Sequence, residues 1–412
     1  MYSGAIPQHH VETIESDFQS LGLSPPTLQA LRDLGFYHPT PIQAGVIPLA
    51  LAGRDVVGLA QTGSGKTAAF VLPLIERIQP GSGVRGLILS PTREIALQTW
   101  SFLEILGAHR GMKAAILIGG VAYGPQFDRL KAKPEFVVAT PGRLLDHVER
   151  RTVRLDGVSE LVIDEADHML DLGFMPQIQR VLDLLPKVRH TTMFSATMPD
   201  AVERLTRQFL SDPERVDIRP VGGAASGIEH RLYLVAESAK RDCLLALLRE
   251  QPGLTLVFTR RKIDAEWLSK ALEKHGIEVE RIHGDLSQAK RVQALQGLRS
   301  GRHRVLVATD VAARGIDVRG IDHVVQFDLP DSVEDYVHRS GRTARGAAKG
   351  VVSTIATWLD KAFLKDLEDT LGEPLRRCEI AGVEPYHPLK EVRAERGSLH
   401  RGKAPLARRR RF

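Results

Sequence analysis

From about Asp55 onwards, short β-branched apolar runs alternate with longer amphipathic stretches, a pattern that predicts repeated βαβ units around a mostly parallel sheet. Strands are predicted at Asp55–Leu59, Gly86–Ser90, Phe136–Thr140, Glu160–Asp164 and Thr191–Ser195. Helical periodicity falls between most of them, at Lys66–Ile78, Glu94–Leu106, Arg143–Arg150 and Pro176–Leu185. The first α/β domain therefore ends near Ile218. The next nine residues, R-P-V-G-G-A-A-S-G at Arg219–Gly227, are small and lack an apolar period, which predicts a flexible linker. The alternation then restarts, with strands at Arg231–Val235, Leu254–Thr259, Val279–Ile282, Arg304–Thr309 and His323–Phe327 and helices at Lys240–Glu250, Ala265–His275 and Gln288–Leu298. The fold class is α/β, with a flank over residues 1–17, domains over 18–218 and 228–375, a linker over 219–227 and a tail over 376–412.

A length of 412 residues agrees with two cores. Hydrophobic content of 43% with 26% charged and 5% aromatic residues excludes the disordered and fibrous classes. The two cysteines, Cys243 and Cys378, lack metal-ligand spacing, so neither a disulfide framework nor a zinc site is predicted and a reducing compartment fits. The N-terminus has no basic stretch leading into an apolar one, and no run of about 18 apolar residues occurs, so a cytoplasmic location is expected. The net charge of +6 is localised: residues 391–412 hold eight Lys or Arg against two Glu, so the preceding chain is close to neutral. Such a tail reads as an auxiliary phosphate-attracting arm for nucleic acid; the plainer reading is a solubilising terminus.

The run A-Q-T-G-S-G-K-T, Ala60–Thr67, lies between a predicted strand and a predicted helix. Its glycines let backbone N–H groups turn toward phosphates at a helix N-terminus, which predicts an ATP site. Thr62, Gly63, Ser64 and Gly65 form the loop, Lys66 reaches the β and γ phosphates, and the Thr67 hydroxyl takes Mg²⁺. The first position is Ala60 where the common pattern has glycine. V-I-D-E-A-D, Val162–Asp167, sets Asp164 and Glu165 at the end of an apolar strand, where parallel sheets place ligands. Asp164 is assigned to Mg²⁺ and Glu165 to orienting or deprotonating the attacking water. Standing alone, two carboxylates after a strand would be a helix cap. In H-R-S-G-R-T-A-R-G, His338–Gly346, Arg342 and Arg345 lie one turn apart and are assigned to the γ-phosphate across the domain cleft, beside His338.

With D-E-A-D following A-Q-T-G-S-G-K-T, the sequence resembles the DEAD-box RNA helicases of superfamily 2 over roughly residues 18–375, as a compact, bacterial-like member. The resemblance implies two tandem RecA-like domains. It implies that G-F-Y-H-P-T-P-I-Q, Gly35–Gln43, reads adenine, with Gln43 on the base edge, Phe36 near its face and Phe18 upstream. It assigns RNA contacts to Pro91, Thr92 and Arg93, to Gly119 and Gly120, and to Thr140, Pro141, Gly142 and Arg143 in the first domain. In the second it assigns RNA to Gln288, Arg291 and Thr309, and the nucleotide to Gly315 and Asp317. Ser195, Ala196 and Thr197 resemble the motif joining hydrolysis to strand separation. These residue types suit backbone rather than base recognition.

The implied activity is ATP hydrolysis coupled to local RNA strand separation or RNA–protein remodelling, by a monomer. Protein partners from RNA processing or ribosome assembly are compatible with it. Charge alone does not separate RNA from DNA, where the 2′-hydroxyl is the physical handle. An ATP-gated RNA clamp and an RNA-binding protein with a vestigial nucleotide site are the other readings.

Overall fold

In a computed structural model of the chain, residues 17–60, 63–218, 227–313, 320–344 and 349–383 are described, with a two-residue strand at Gln8–His9. The predicted linker apart from Gly227, the tail beyond residue 383, and the assigned residues Thr62, Gly315, Asp317 and Arg345 lie outside them. So does the side chain of Gln288.

The first sheet contains β1 (Gln8–His9), β2 (Val56–Leu59), β3 (Gly86–Leu89), β4 (Ala114–Leu117), β5 (Phe136–Ala139), β6 (Glu160–Ile163), β7 (His190–Ser195) and β8 (Glu214–Asp217). They pair in the order β1-β8-β2-β7-β6-β3-β5-β4, with each pairing parallel. The second sheet contains β9 (Ile228–Leu234), β10 (Thr255–Phe258), β11 (Val279–Ile282), β12 (Val305–Ala308), β13 (His323–Gln326), β14 (Gly350–Ala356) and β15 (Arg376–Arg377), ordered β11-β12-β10-β13-β14-β9-β15 and again parallel. Helices cover both faces, so β2 to β6 are buried at every residue and read as continuous apolar runs. Two apolar clusters flank each sheet: Phe70 and Ile88 mark one face of the first and Leu87 and Leu161 the other, while Leu256 and Val257 divide the second.

The predicted strands occur within one residue of their expected bounds except β9, which starts three residues early, and three strands that were not predicted have local causes. Ala114–Leu117 is alanine-rich, with little β-propensity of its own. Glu214–Asp217 buries Val216 fully while its neighbours stay partly exposed. Gly350–Ala356 interrupts its apolar run with Ser353 and Thr354, both fully buried because they pair with His323 (2.8 Å) and with the Tyr336 hydroxyl (2.9 Å). Pro41–Leu51 is apolar all round and carries no amphipathic stripe, yet it packs against the helix Lys66–Arg77. The second domain also runs past residue 375: β15 joins its sheet and Ile380 is buried in its core. At the other end, Gln8–His9 brings part of the predicted flank into the first sheet.

Candidate nucleotide and RNA site

Strands β2, β7 and β6 are adjacent and parallel, so their carboxyl ends deliver Ala60, Ser195 and Asp164 to one edge. Gly65 caps the helix Lys66–Arg77 at φ +94°, a left-handed geometry; a Cβ there would also collide with the amide of Gln43. That amide ties two motifs together: Gln43 Oε1 accepts from the Thr40 backbone N–H (2.9 Å) and Nε2 donates to the Gly65 carbonyl (3.0 Å). The T-x-x-Q spacing is half of a capping box, a signal legible in T-P-I-Q. One lone pair and one N–H of the amide remain for a base edge. Phe36 is half-buried, edge-on to Phe102 with centroids 6.0 Å apart. Phe18, also assigned to the nucleotide, is 3% exposed and packs in the apolar core beneath this motif.

Lys66 is buried and donates to the Ala60 carbonyl (2.9 Å). Asp164 is buried, with Oδ1 lacking a hydrogen-bond partner. Burial and then the neighbouring Glu165 charge push its pKa up, while Lys66 opposes them. Burial alone would raise Glu165 as well, but the hydrogen bond from His168 Nδ1 (3.0 Å) and the charges of His168, Lys66 and Arg342 outweigh it and hold the carboxyl ionised. Glu165 also has φ +51°, a strained value for a residue with a side chain, at the start of the helix Ala166–Asp171. Asp164 is thus a buried carboxyl short of positive charge, whereas Glu165 has its charge offset by His168 and the nearby cations.

Ser195 touches both sides of this edge. Its carbonyl accepts from Ala60 N–H (3.1 Å) and its hydroxyl from Asp167 N–H (3.3 Å). Asp167 Oδ2 in turn accepts from the backbone N–H of Ala196 (3.1 Å) and Thr197 (2.8 Å) and from the Thr197 hydroxyl (2.9 Å).

The second domain presents the helix Val333–Ser340, followed by Arg342, which is 4% exposed and near enough for its charge to act on Glu165. His338 occupies the last turn of that helix. Sequence reasoning missed Arg339, the best-held cation of this segment. It forms a two-pronged pair with Asp310 (2.5 and 2.6 Å), and donates to Gln326 Oε1 (2.7 Å) and the Asp328 carbonyl (2.6 Å). Arg339 locks the helix to A-T-D-V-A-A-R-G through Asp310, whereas the Arg342 charge acts on Glu165.

The assigned RNA residues gather at helix N-termini. Thr92 caps Arg93–Ala108, Thr140 precedes Pro141–Glu149 with Gly142 and Arg143 in its first turn, and Ser287 caps Gln288–Arg299. Pro91 is buried just before Thr92, and Thr309, also buried, follows β12. The Arg93 guanidinium lies over the turn Gly119–Gly120, so closely that any Cβ at Gly120 (φ +71°) would strike it. Arg143 donates to the Val121 carbonyl (3.0 Å) and stacks on the Tyr123 ring. Across the cleft Arg291 pairs with Glu94 at 3.2 Å, with side chains 13% and 5% exposed. Neither Glu94 nor that pairing was predicted.

Gln126, buried and also not predicted, braces this surface. Its Nε2 donates to the carbonyls of Ile118 (3.3 Å) and Ala122 (3.0 Å), and its Oε1 accepts from Ile118 N–H (3.1 Å) and contacts His147 Nε2 (3.3 Å). Burial, then the Arg143 charge, lowers the His147 pKa. Its ring lies between Gln126 Oε1 at Nε2 and the Thr152 hydroxyl at Nδ1 (2.8 Å), and that hydroxyl donates to the His147 carbonyl (3.0 Å).

Residues 40–205 match the DEAD/DEAH box helicase family and residues 239–347 the helicase conserved C-terminal domain. The chain is 44% identical over 382 residues to the DEAD-box ATP-dependent RNA helicase CshA of Bacillus subtilis, covering 92% of this chain and 77% of that one. It superimposes on Saccharomyces cerevisiae Dbp5 bound to RNA and ADP·BeF₃ with a TM-score of 0.82 at 29% identity, over 94% of this chain and all of that one. A DEAD-box protein from Methanococcus jannaschii, 36% identical, gives 0.53 over 88% of this chain and 99% of that one. The better superposition is with the less similar sequence, so the two domains here are arranged as in the RNA- and nucleotide-bound Dbp5.

Proposed function

The chain belongs to the DEAD-box ATP-dependent RNA helicases, and from that premise we propose how its own residues convert nucleotide binding into work on RNA. The observation that carries the reading is a composite site. Lys66, Asp164 and Glu165 stand on the first domain, while Arg342 on the second lies near enough to influence Glu165. Neither half is complete by itself.

ATP seats its phosphates on Gly63–Thr67, where Lys66 exchanges the Ala60 carbonyl for phosphate oxygens. Gln43 and Phe36 meet the base; Thr62, Gly315 and Asp317 complete the nucleotide contacts. Ionised Glu165 orients the attacking water and accepts its proton. Arg342, with Arg345 and His338, supports the charge developing on the γ-phosphoryl group; an arginine in this role is worth about 10³- to 10⁵-fold. The buried Asp164 oxygen without a partner and the Thr67 hydroxyl fit Mg²⁺. No group of three or more His, Cys, Asp or Glu that could hold a metal occurs among the described residues, so Asp164 and Thr67 would hold the ion only together with bound nucleotide. When bound, the ion neutralises charge between the β and γ phosphates.

RNA lies along the helix N-termini of both domains, held by Thr92, Arg93, Gly119, Gly120, Thr140, Gly142 and Arg143 on one side and Gln288, Arg291 and Thr309 on the other. Closure forms the Glu94–Arg291 pair and the composite ATP site together, bending the bound strand. Ser195 and Thr197 pass the state of the nucleotide to Asp167 and thence to the cleft. The linker between the two domains, the monomeric state, the cytoplasmic location, the tail 391–412 as an auxiliary RNA arm, and protein partners in RNA processing belong to the same reading. No helix among the described residues is long and apolar enough to cross a membrane. The test is ATP turnover by Glu165→Gln with saturating RNA: about 10²-fold or greater loss with retained nucleotide binding is expected, and unchanged turnover overturns the assignment.

A further inference from the structure

The helix Lys262–Lys274 leaves one face open to solvent. Ala265, Leu268 and Leu272 bury its inner side against β11 and β12, whereas Ile263 and Trp267, one turn apart, are 66% and 51% exposed. An indole this accessible is costly to hydrate and has no packing role that explains it. Lys270 and Lys274 continue the same stripe at helical spacing, and Arg260, Arg261 and Lys262 lead into it.

The position of this face matters as much as its composition. Strands β11, β12 and β10 are neighbours, so their carboxyl ends bring the loop 283–287, Thr309 and Arg260–Lys262 side by side. Lys262 Nζ reaches Asp285 Oδ2 at 2.6 Å, and Glu266 meets His283 at 2.9 Å, which joins the start of this helix to the loop that opens Gln288–Arg299. The face therefore adjoins the second-domain side of the RNA track and extends it outward.

We propose that Ile263 and Trp267, with Lys262, Lys270 and Lys274, form an accessory site for single-stranded RNA leaving the cleft, one base stacking on the indole while the cations follow the phosphates. The cations are paired with Asp264, Asp285, Glu266 and Asp331, but those pairs are largely solvent-exposed and worth about 0–1 kcal/mol each, so phosphates can displace them. Two apolar side chains are too few for a stable protein interface, which buries about 800 Å² per partner, whereas a base needs one ring. The proposal rests on the RNA track described above, and adds to it an outer contact with no base preference.

The experiment compares RNAs of about 6 and about 20 nucleotides, the shorter confined to the cleft. Affinity in the presence of ADP·BeF₃ and RNA-stimulated ATP turnover are measured for the full chain and for Trp267→Ala and Trp267→Phe. For the long RNA, Trp267→Ala should bind about 5- to 100-fold more weakly, and Trp267→Phe should recover most of that loss. The short RNA should bind and stimulate all three alike. Long RNA carrying 4-thiouridine near one end should crosslink within 262–274. Equal long-RNA affinity for all three proteins, or no crosslink in that helix, overturns the proposal. Failure of the short RNA to stimulate the unmodified chain would instead count against the RNA track itself.

Discussion

Glu94→Gln removes one charge and almost no volume from the pair that spans the two domains. Glu94 and Arg291 meet at 3.2 Å with side chains 5% and 13% exposed, so in the closed form the guanidinium loses its counter-charge while still largely desolvated. The neighbouring Arg93 feels the charges of Arg291 and Arg143, and Glu94 opposes them. Breaking a fully buried pair from one side costs about 3–5 kcal/mol. Here the domains can separate and rehydrate Arg291, which limits the loss to the closing equilibrium, about 2 kcal/mol or roughly 30-fold. RNA affinity with ADP·BeF₃ should fall by about that factor, while affinity without nucleotide changes less than about twofold. Arg291→Gln removes both the pair and a proposed RNA contact, so the double variant separates the two effects. The second substitution should cost about 1–2 kcal/mol less when the first is present. Additivity within about 0.5 kcal/mol would refute the idea that this pair holds the closed state.

Three further outcomes follow from the geometry. Asp167→Asn weakens the acceptor that holds Ala196 and Thr197, and should reduce strand displacement about tenfold more than RNA-saturated ATP turnover; parallel losses in a duplex-unwinding and phosphate-release comparison would contradict that. Gln126→Ala frees both ends of the turn holding Gly119–Gly120, and should raise KM for RNA about tenfold with kcat and KM for ATP little changed, as steady-state turnover would read. His230 and His323 are buried in the second domain, and burial brings each down to about 4. The unfolded chain therefore binds more protons between pH 6.5 and 4, so stability falls as pH drops through that window. At pH 5.5 each costs about 1 kcal/mol relative to pH 7.5, and His323→Asn should flatten the urea-midpoint dependence by about half.

The nucleotide half of the site was legible because its chemistry is contiguous: Ala60–Thr67 and Val162–Asp167 each place their polar groups at the end of an apolar strand. Ser195 could be assigned from its motif, but its two-sided contact depends on β7 lying between β2 and β6, which is a matter of strand order. Arg339, Glu94 and Gln126 were not legible for the same reason. In H-R-S-G-R-T-A-R-G nothing local distinguishes the arginine that anchors the helix from the one that faces Glu165. Glu94 reads as an ordinary first-turn acid until a second domain brings Arg291 to it. Phe18 is an isolated aromatic ahead of an adenine-reading motif and also a core residue, a packing role that its spelling does not show.

In the proposed mechanism, closing the cleft completes the ATP site and the RNA track in one movement. The direct test is a thermodynamic box on the full chain: RNA affinity with and without ADP·BeF₃, and nucleotide affinity with and without RNA. A composite site requires both affinities to rise by the same factor, and Arg342→Gln to shrink both together. RNA affinity indifferent to the nucleotide analogue would contradict it.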